Sequence, residues 1–168
     1  HAAVQVGNGA VLFKGNGVEI AGAEAAAAAH AVFGDDAHLL GFGSFEGVMK
    51  TKGELYDYLR RTADKVFLNV DNPYLCKMAS ERNLQHDPER PYSLVLPYGV
   101  EYSHAEVLPS SPEYPYLRMK LQECQVSTNL VGSYNADNVM AALAVGTYFG
   151  VGLMDAVAAI EAYVPSNN

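Results

Sequence analysis

The stretch AHLLGFGSFEGVMKTKGELYDYL, residues 37 to 59, says more about the fold than any other part of the chain. It sets His38 at the head of a glycine-rich loop and follows it with a helical pattern that carries Lys52 in its interior. From Ser44 onward Val48, Leu55, Leu59 and Thr62 fall on one helical face, while Lys50 and Glu54 pair four residues apart on another. The pattern breaks near Asp64. Taken singly, His38 reads as a loop histidine satisfied by backbone, and Lys52 as a solvated helix lysine.

Downstream, KVFLNV (65 to 70) is a short apolar run bounded by charge and by Asp71-Asn72-Pro73. Its density fits a strand buried in a parallel sheet. Asn72 is placed to cap a helix over 73 to 82, with Pro73 at its first position, where a missing N–H costs nothing. QHDPERP (85 to 91) reads as a loop, and YSLVLPYG (92 to 99) as another strand. YLRMKL (116 to 121) and QVSTNLV (125 to 131) alternate as a hairpin that turns near Glu123. Asn135 follows a Gly-Ser-Tyr turn and is expected to cap a helix through ADNVMAALAVGTYFG, which Gly150 ends. A last helix over 153 to 163 stops at Pro165. Strands alternating with helices predict an α/β fold, with a mostly parallel sheet flanked by helices and the antiparallel hairpin as its extension.

Upstream the character changes. GNGAVLFKGNG (7 to 17) is glycine-rich, and AGAEAAAAAHAVFGDD (21 to 36) is an alanine-rich helix candidate broken by Gly34-Asp35-Asp36. A phosphate loop needs GxxxxGK followed by Ser or Thr, so that amides and one lysine embrace the phosphates. The first segment has glycines and Lys14 but neither that spacing nor the hydroxyl, and a plain turn pair explains it.

The 168 residues suit one ordinary domain with a small appendage, and 49% hydrophobic residues allow a sizeable core. A net charge of -8 without any cluster of Lys or Arg argues against nucleic-acid and membrane-surface partners. Cys76 and Cys124 stand too far apart for a metal motif and too few for a disulfide scaffold, so a cytoplasmic setting is expected. No apolar stretch approaches a membrane span and no signal-peptide pattern opens the sequence.

AHLLGFGSFEGVMKTKGELY, NVDNPYL and GSYNADNVMAALAVGTYFGV resemble successive landmarks of the central domain of Mur ligases. In that family the order is AHLxGFGS, KGE on the next helix, N-x-D-N after a strand, and later G-x-(His or Tyr)-N-x-x-N-x-x-A-A. All four occur here in that order, and the GFGS and KGE forms resemble the branch that ligates D-alanyl-D-alanine. The resemblance implies an ATP-dependent ligase of peptidoglycan synthesis. It would phosphorylate the terminal carboxylate of UDP-N-acetylmuramoyl-tripeptide to an acyl-phosphate, which the amine of D-alanyl-D-alanine attacks. It implies that Lys52 reacts with CO2 to give a carbamate whose oxygens suit Mg2+, and that His38 ligates a second Mg2+. By the same resemblance Asn135 and Asn138 hold the adenine of ATP, although Asn135 serves equally well as a helix cap. Tyr134 stands where many relatives carry His. Asn69, Asp71 and Asn72 sit where open α/β sheets place ligands, and turn formation accounts for them equally.

The sequence also departs from the family. It contains no GTNGKTT-like loop, no strand with a metal-binding Glu ahead of AHL, and no C-terminal domain after VPSNN. Residues 1–36 resemble a compressed piece of the family's UDP-sugar-binding domain, which makes 37–168 a partial central domain and Asp36-Ala37 a junction across absent sequence. Phosphoryl transfer depends on positioned amides and cations, so these 168 residues alone are not expected to make acyl-phosphate. The rival expectation is a non-catalytic module, derived from such a ligase, that binds a nucleotide or a partner.

Overall fold

A computed structural model of the chain describes residues 2–6, 9–13, 53–54, 56–57, 60–61, 65–84, 94–122 and 124–165. The chain divides into two compact units, His1–Pro97 and Tyr98–Asn168. The alanine-rich helix candidate and the 85 to 91 loop lie outside the described residues.

The first unit is built on strand β3, Lys65–Asn69, in which Val66, Phe67, Leu68 and Asn69 are all buried. Burial of successive residues means both faces of the strand are covered, as its unbroken apolar run implies. Strands β1 (Ala2–Val6), β2 (Gly9–Phe13) and β4 (Val95–Tyr98) complete a sheet of order β2-β1-β3-β4. β1 runs parallel to β3, with Ala2 opposite Lys65 and Val4 opposite Phe67. It is antiparallel to β2, from Ala2 opposite Phe13 to Val6 opposite Gly9. Read by its glycines, the stretch from residue 7 passes for a turn pair. In the structure GAVLF is a strand, because Val11, Leu12 and Phe13 favour extended backbone once a partner strand is present.

Helix α1, Pro73–Ser80, starts where the sequence places it. Oδ1 of Asn72 accepts the N–H groups of Tyr74 at 3.0 Å and Leu75 at 3.2 Å, and Pro73 opens the first turn. Its buried residues Leu75, Met78 and Ala79 follow the i, i+3, i+4 spacing of one helical face. They join Tyr56, Leu68, Leu84 and Val95 in a single core, with Val70 and Leu94 packed against it. Each large side chain taken from water there contributes about 1.5–3 kcal/mol. The helix ends on Asn83 in the left-handed region (φ 57°), which turns the N–H of Leu84 back onto the carbonyl of Ala79 at 2.8 Å. Gly53, Glu54, Tyr56, Asp57, Arg60 and Arg61 are helical, as the pattern from Ser44 predicts.

The second unit holds an antiparallel sheet of order β5-β6-β7: Glu106–Leu108, Tyr116–Leu121 and Cys124–Val131. The hairpin β6-β7 closes between Leu121 and Cys124, with Gln122 at φ 49°. It belongs to a three-stranded sheet whose third strand, β5, the sequence pattern does not announce. Leu117, Met119 and Leu121 alternate inward on β6, as do Val126 and Thr128 on β7. Thr128 is reconciled with burial by donating its hydroxyl to the Leu117 carbonyl at 2.9 Å.

Helices α2 (Asn135–Tyr148) and α3 (Leu153–Ala162) pack on this sheet and on each other. Gly150, at φ 86°, ends α2: its N–H bonds the Thr147 carbonyl at 3.0 Å, and that of Val151 the Gly146 carbonyl at 2.9 Å. β7 fastens α3 from the side, through the Ser127 N–H donating to Oε1 of Glu161 at 2.9 Å. Nδ2 of Asn129 adds bonds to the carbonyls of Glu161 at 2.9 Å and Tyr163 at 3.1 Å. One expectation is corrected. The N-cap of α2 is Tyr134, with no side-chain cap bond, and Asn135 is already inside the helix.

Candidate functional site

Two groups of polar residues stand where elements end. The first is Asn69-Val70-Asp71-Asn72 at the C-terminal end of β3. Asn69 is 2% exposed, and its Oδ1 accepts the N–H of Asp71 at 3.0 Å, folding the chain into the turn that launches α1. Asn72 spends its Oδ1 on the helix start. Cys76, one turn into α1, points its thiol at the carbonyl of Val70, 3.3 Å away. Burial pushes that thiol's pKa up, and the Asp71 carboxylate pushes it further. Cys76 is therefore a neutral donor to the turn rather than a nucleophile.

The second group is Asn135 and Asn138, on the first turn of α2. Nδ2 of Asn135 donates to the Val131 carbonyl at 2.8 Å, tying the helix start back to the end of β7. Its Oδ1 accepts from Nδ2 of Asn138 at 3.1 Å. The two amides thus form a bonded chain from the Val131 carbonyl through Asn135 to half-buried Asn138. An amide held this way offers an acceptor beside a donor, the pattern that the edge of an adenine complements.

His38 and Lys52 lie outside the described residues. The rest of the KGE motif is described. Gly53 is buried, and a Cβ there would collide with Nη2 of Arg82 and stand 2.9 Å from Cζ. Arg82 reaches Gly53 from the end of α1, donating on the way to the Met78 carbonyl at 3.2 Å. Its Nε lies 3.1 Å from Oδ1 of Asp57, a charge contact without the angle of a directed hydrogen bond. Sequence reasoning does not single out Arg82. The signal available was a cation at a helix C-terminus, which the helix dipole favours in any protein.

Tyr56, fully buried among these groups, has a hydroxyl with no hydrogen-bond partner among the described residues. Burial drives its pKa far above the ordinary 10.0; Cys76 adds to the rise and Arg82 opposes it. It remains a neutral phenol. Among the described residues no group of three His, Cys, Asp or Glu side chains is arranged to hold a metal ion. No helix among them is long and apolar enough to cross a membrane.

One unit with a buried strand that ends in asparagines, and another with an asparagine pair on the first turn of a helix, are the features that define the class of this chain. The Mur ligase middle domain model matches residues 21–146, and the chain belongs to that family. No curated protein sequence matches it. Among solved structures, the chain resembles a crystal structure of MurF from Acinetobacter baumannii at TM-score 0.54 and 20% identity, over 77% of this chain and 27% of that one. A second crystal structure of that protein gives 0.49 and 18%, over 74% and 26%. A pseudomurein peptide ligase type C from Methanothermus fervidus gives 0.49 and 14%, over 76% and 32%. At such identities the likeness is one of fold, and this chain spans about a quarter of the length of MurF.

Proposed function

We propose that the chain is the ATP-binding part of a cytoplasmic ligase that joins D-alanyl-D-alanine to UDP-N-acetylmuramoyl-tripeptide in peptidoglycan synthesis. The observation that carries this reading is the shared core of the first unit. Tyr56, from the helix of the KGE motif, packs with Leu68 of β3 and with Leu75 and Met78 of α1, so the KGE and NVDN motifs are joined by packing as well as by order. Family membership supports ATP as the phosphoryl donor.

In the whole reaction an oxygen of the tripeptide carboxylate attacks the γ-phosphorus, and ADP leaves. The amine of D-alanyl-D-alanine then attacks the acyl carbon, and inorganic phosphate leaves with a proton lost from nitrogen. On this reading Asn138 presents its amide to the adenine edge and Asn135 holds it in register. Asn69, Asp71 and Asn72, at the end of β3, are further cofactor-binding candidates on this reading. The metal side, His38 and carbamylated Lys52, rests on sequence: an imidazole and a carbamate are donors that Mg2+ accepts, and the bound ion would neutralise phosphate charge.

A second reading has its own observation. No phosphate-binding loop occurs anywhere in the 168 residues. On that ground we propose that the chain by itself binds nucleotide without turning it over, as a non-catalytic module would. Calorimetric titration with ATP in Mg2+ tests the binding. Saturable heat is expected from the native chain, and Asn138→Ala should weaken it about tenfold, the loss of one or two hydrogen bonds. Binding left unchanged by that substitution would refute the adenine assignment. A coupled ATPase assay with the tripeptide tests the second point, and turnover approaching that of a whole ligase would overturn it.

A further inference from the structure

We infer that the C-terminal end of α3 is a guard that closes the open edge of β7 against a second copy of this chain. Among the described residues β7 pairs with β6 alone, so its other side is a sheet edge. The N–H and C=O groups of such an edge are a template for another strand unless charge, proline or a covering segment blocks them. β7 itself supplies no block. Its eight residues, CQVSTNLV, include no charge, no proline and no glycine, the composition of segments that pair with copies of themselves.

The block comes from α3. Oε1 of Glu161 accepts the Ser127 N–H at 2.9 Å. An N–H donated to α3 rather than to β6 lies on the open edge, so the carboxylate stands where the carbonyl of an added strand would. Nδ2 of Asn129 holds the carbonyls of Glu161 at 2.9 Å and Tyr163 at 3.1 Å, fastening the chain as it leaves the helix. Tyr163 is extended there (φ -71°, ψ 124°), and Pro165, two residues on, has no N–H to offer a ladder. Pairing with β6 is regular from Cys124 to Ser127 and shifts register beyond it. Ser127 therefore closes the stretch from which a regular ladder could grow, and Glu161 sits on that residue.

A second copy is the occupant this edge fits. The chain carries a net charge of -8, so two copies repel where their acidic surfaces meet, and an uncharged strand is a place they can approach. β7 against β7 about a two-fold axis is an antiparallel pair in which each copy presents the same residues. The guard is lightly held. Its bonds to the Ser127 N–H and from Asn129 to Tyr163 are exposed, and Tyr163 and Val164 are 57% and 66% exposed, so it can lift without opening a core.

Sedimentation velocity of the full chain across a dilution series tests this, with circular dichroism and melting temperature recorded for every variant. The native chain is expected to stay monomeric throughout. Glu161→Ala combined with Asn129→Ala removes all three bonds and should sediment as a dimer or larger at the concentrated end. Adding Ser127→Lys to that pair puts a charge on the freed edge and should return the monomer. Glu161→Gln, whose amide oxygen still accepts the Ser127 N–H, should stay monomeric. Hydrogen exchange at the Ser127 amide reads the guard without association, even where the double variant fails to fold. In dilute Glu161→Ala it should quicken about tenfold, the loss of one hydrogen bond to a charged group. A native chain that associates, association that Ser127→Lys leaves untouched, or unchanged Ser127 exchange in Glu161→Ala would each overturn the guard. So would a folded double variant that stays monomeric, and uptake of an unrelated extended peptide by it would assign the edge to another occupant.

Discussion

Asn72 accepts two backbone N–H groups with one oxygen, and at the scale of single residues it shows what sequence can supply. Its role follows from Asn-Pro before an apolar face, and nothing distant is needed to see it. Asn72→Ala should cost about 1 kcal/mol of stability, measurable by urea denaturation. Asn135 was less legible. The same residue type before the same kind of face is an interior residue in α2, because the Gly132-Ser133-Tyr134 turn already supplies the helix start and the Asn135 side chain reaches back to Val131. Tyr56 was not legible at all, since an orphaned hydroxyl depends on neighbours contributed by α1. Removing it should be neutral or favourable, so Tyr56→Phe is expected to leave stability at pH 7 unchanged or raise it by about 1 kcal/mol. The pH dependence follows from the direction of the shift. The folded protein raises the Tyr56 pKa, so its contribution is whole below the ordinary 10.0 and is lost as pH rises through the shifted value. Native protein should lose stability as pH climbs past 10.0, and Tyr56→Phe should flatten that limb. Equal slopes for the two would show that the phenol is not the titrating group.

At the scale of elements, the readable parts were those with local punctuation. β3, α1, the β6-β7 hairpin and the end of α2 at Gly150 each carry a turn, cap or alternation within a few residues of sequence. Gly150→Ala tests one of them. A Cβ meets nothing there, so any cost comes from the left-handed backbone alone, about 1–2 kcal/mol by thermal or chemical denaturation. Strands β1, β2 and β5 escaped for the opposite reason. They are three to five residues long, set among glycines, prolines or turns, and gain their extended form from partners elsewhere in the chain.

For the whole molecule, the parallel pairing of β1 with β3 links residues 2–4 to 65–67, and no local pattern encodes a contact of that range. The family was legible because four motifs recur in order, and the Mur ligase middle domain match over residues 21–146 agrees with that reading. Of the candidate site, sequence named the asparagines but not the bond between Asn135 and Asn138, and it passed over Arg82. The first depends on how Asn135 reaches back to β7, and the second meets Asp57 only because distant backbone is brought together. The central claim is that this amide pair receives adenine. It is tested most directly by following asparagine side-chain amide resonances in 15N-labelled protein as ADP and Mg2+ are added. The account predicts saturable shifts at Asn135 and Asn138, with Asn129, committed to the Glu161 and Tyr163 carbonyls, staying still as an internal control. Silence at both members of the pair while nucleotide binds, or shifts confined to Asn129, would contradict it.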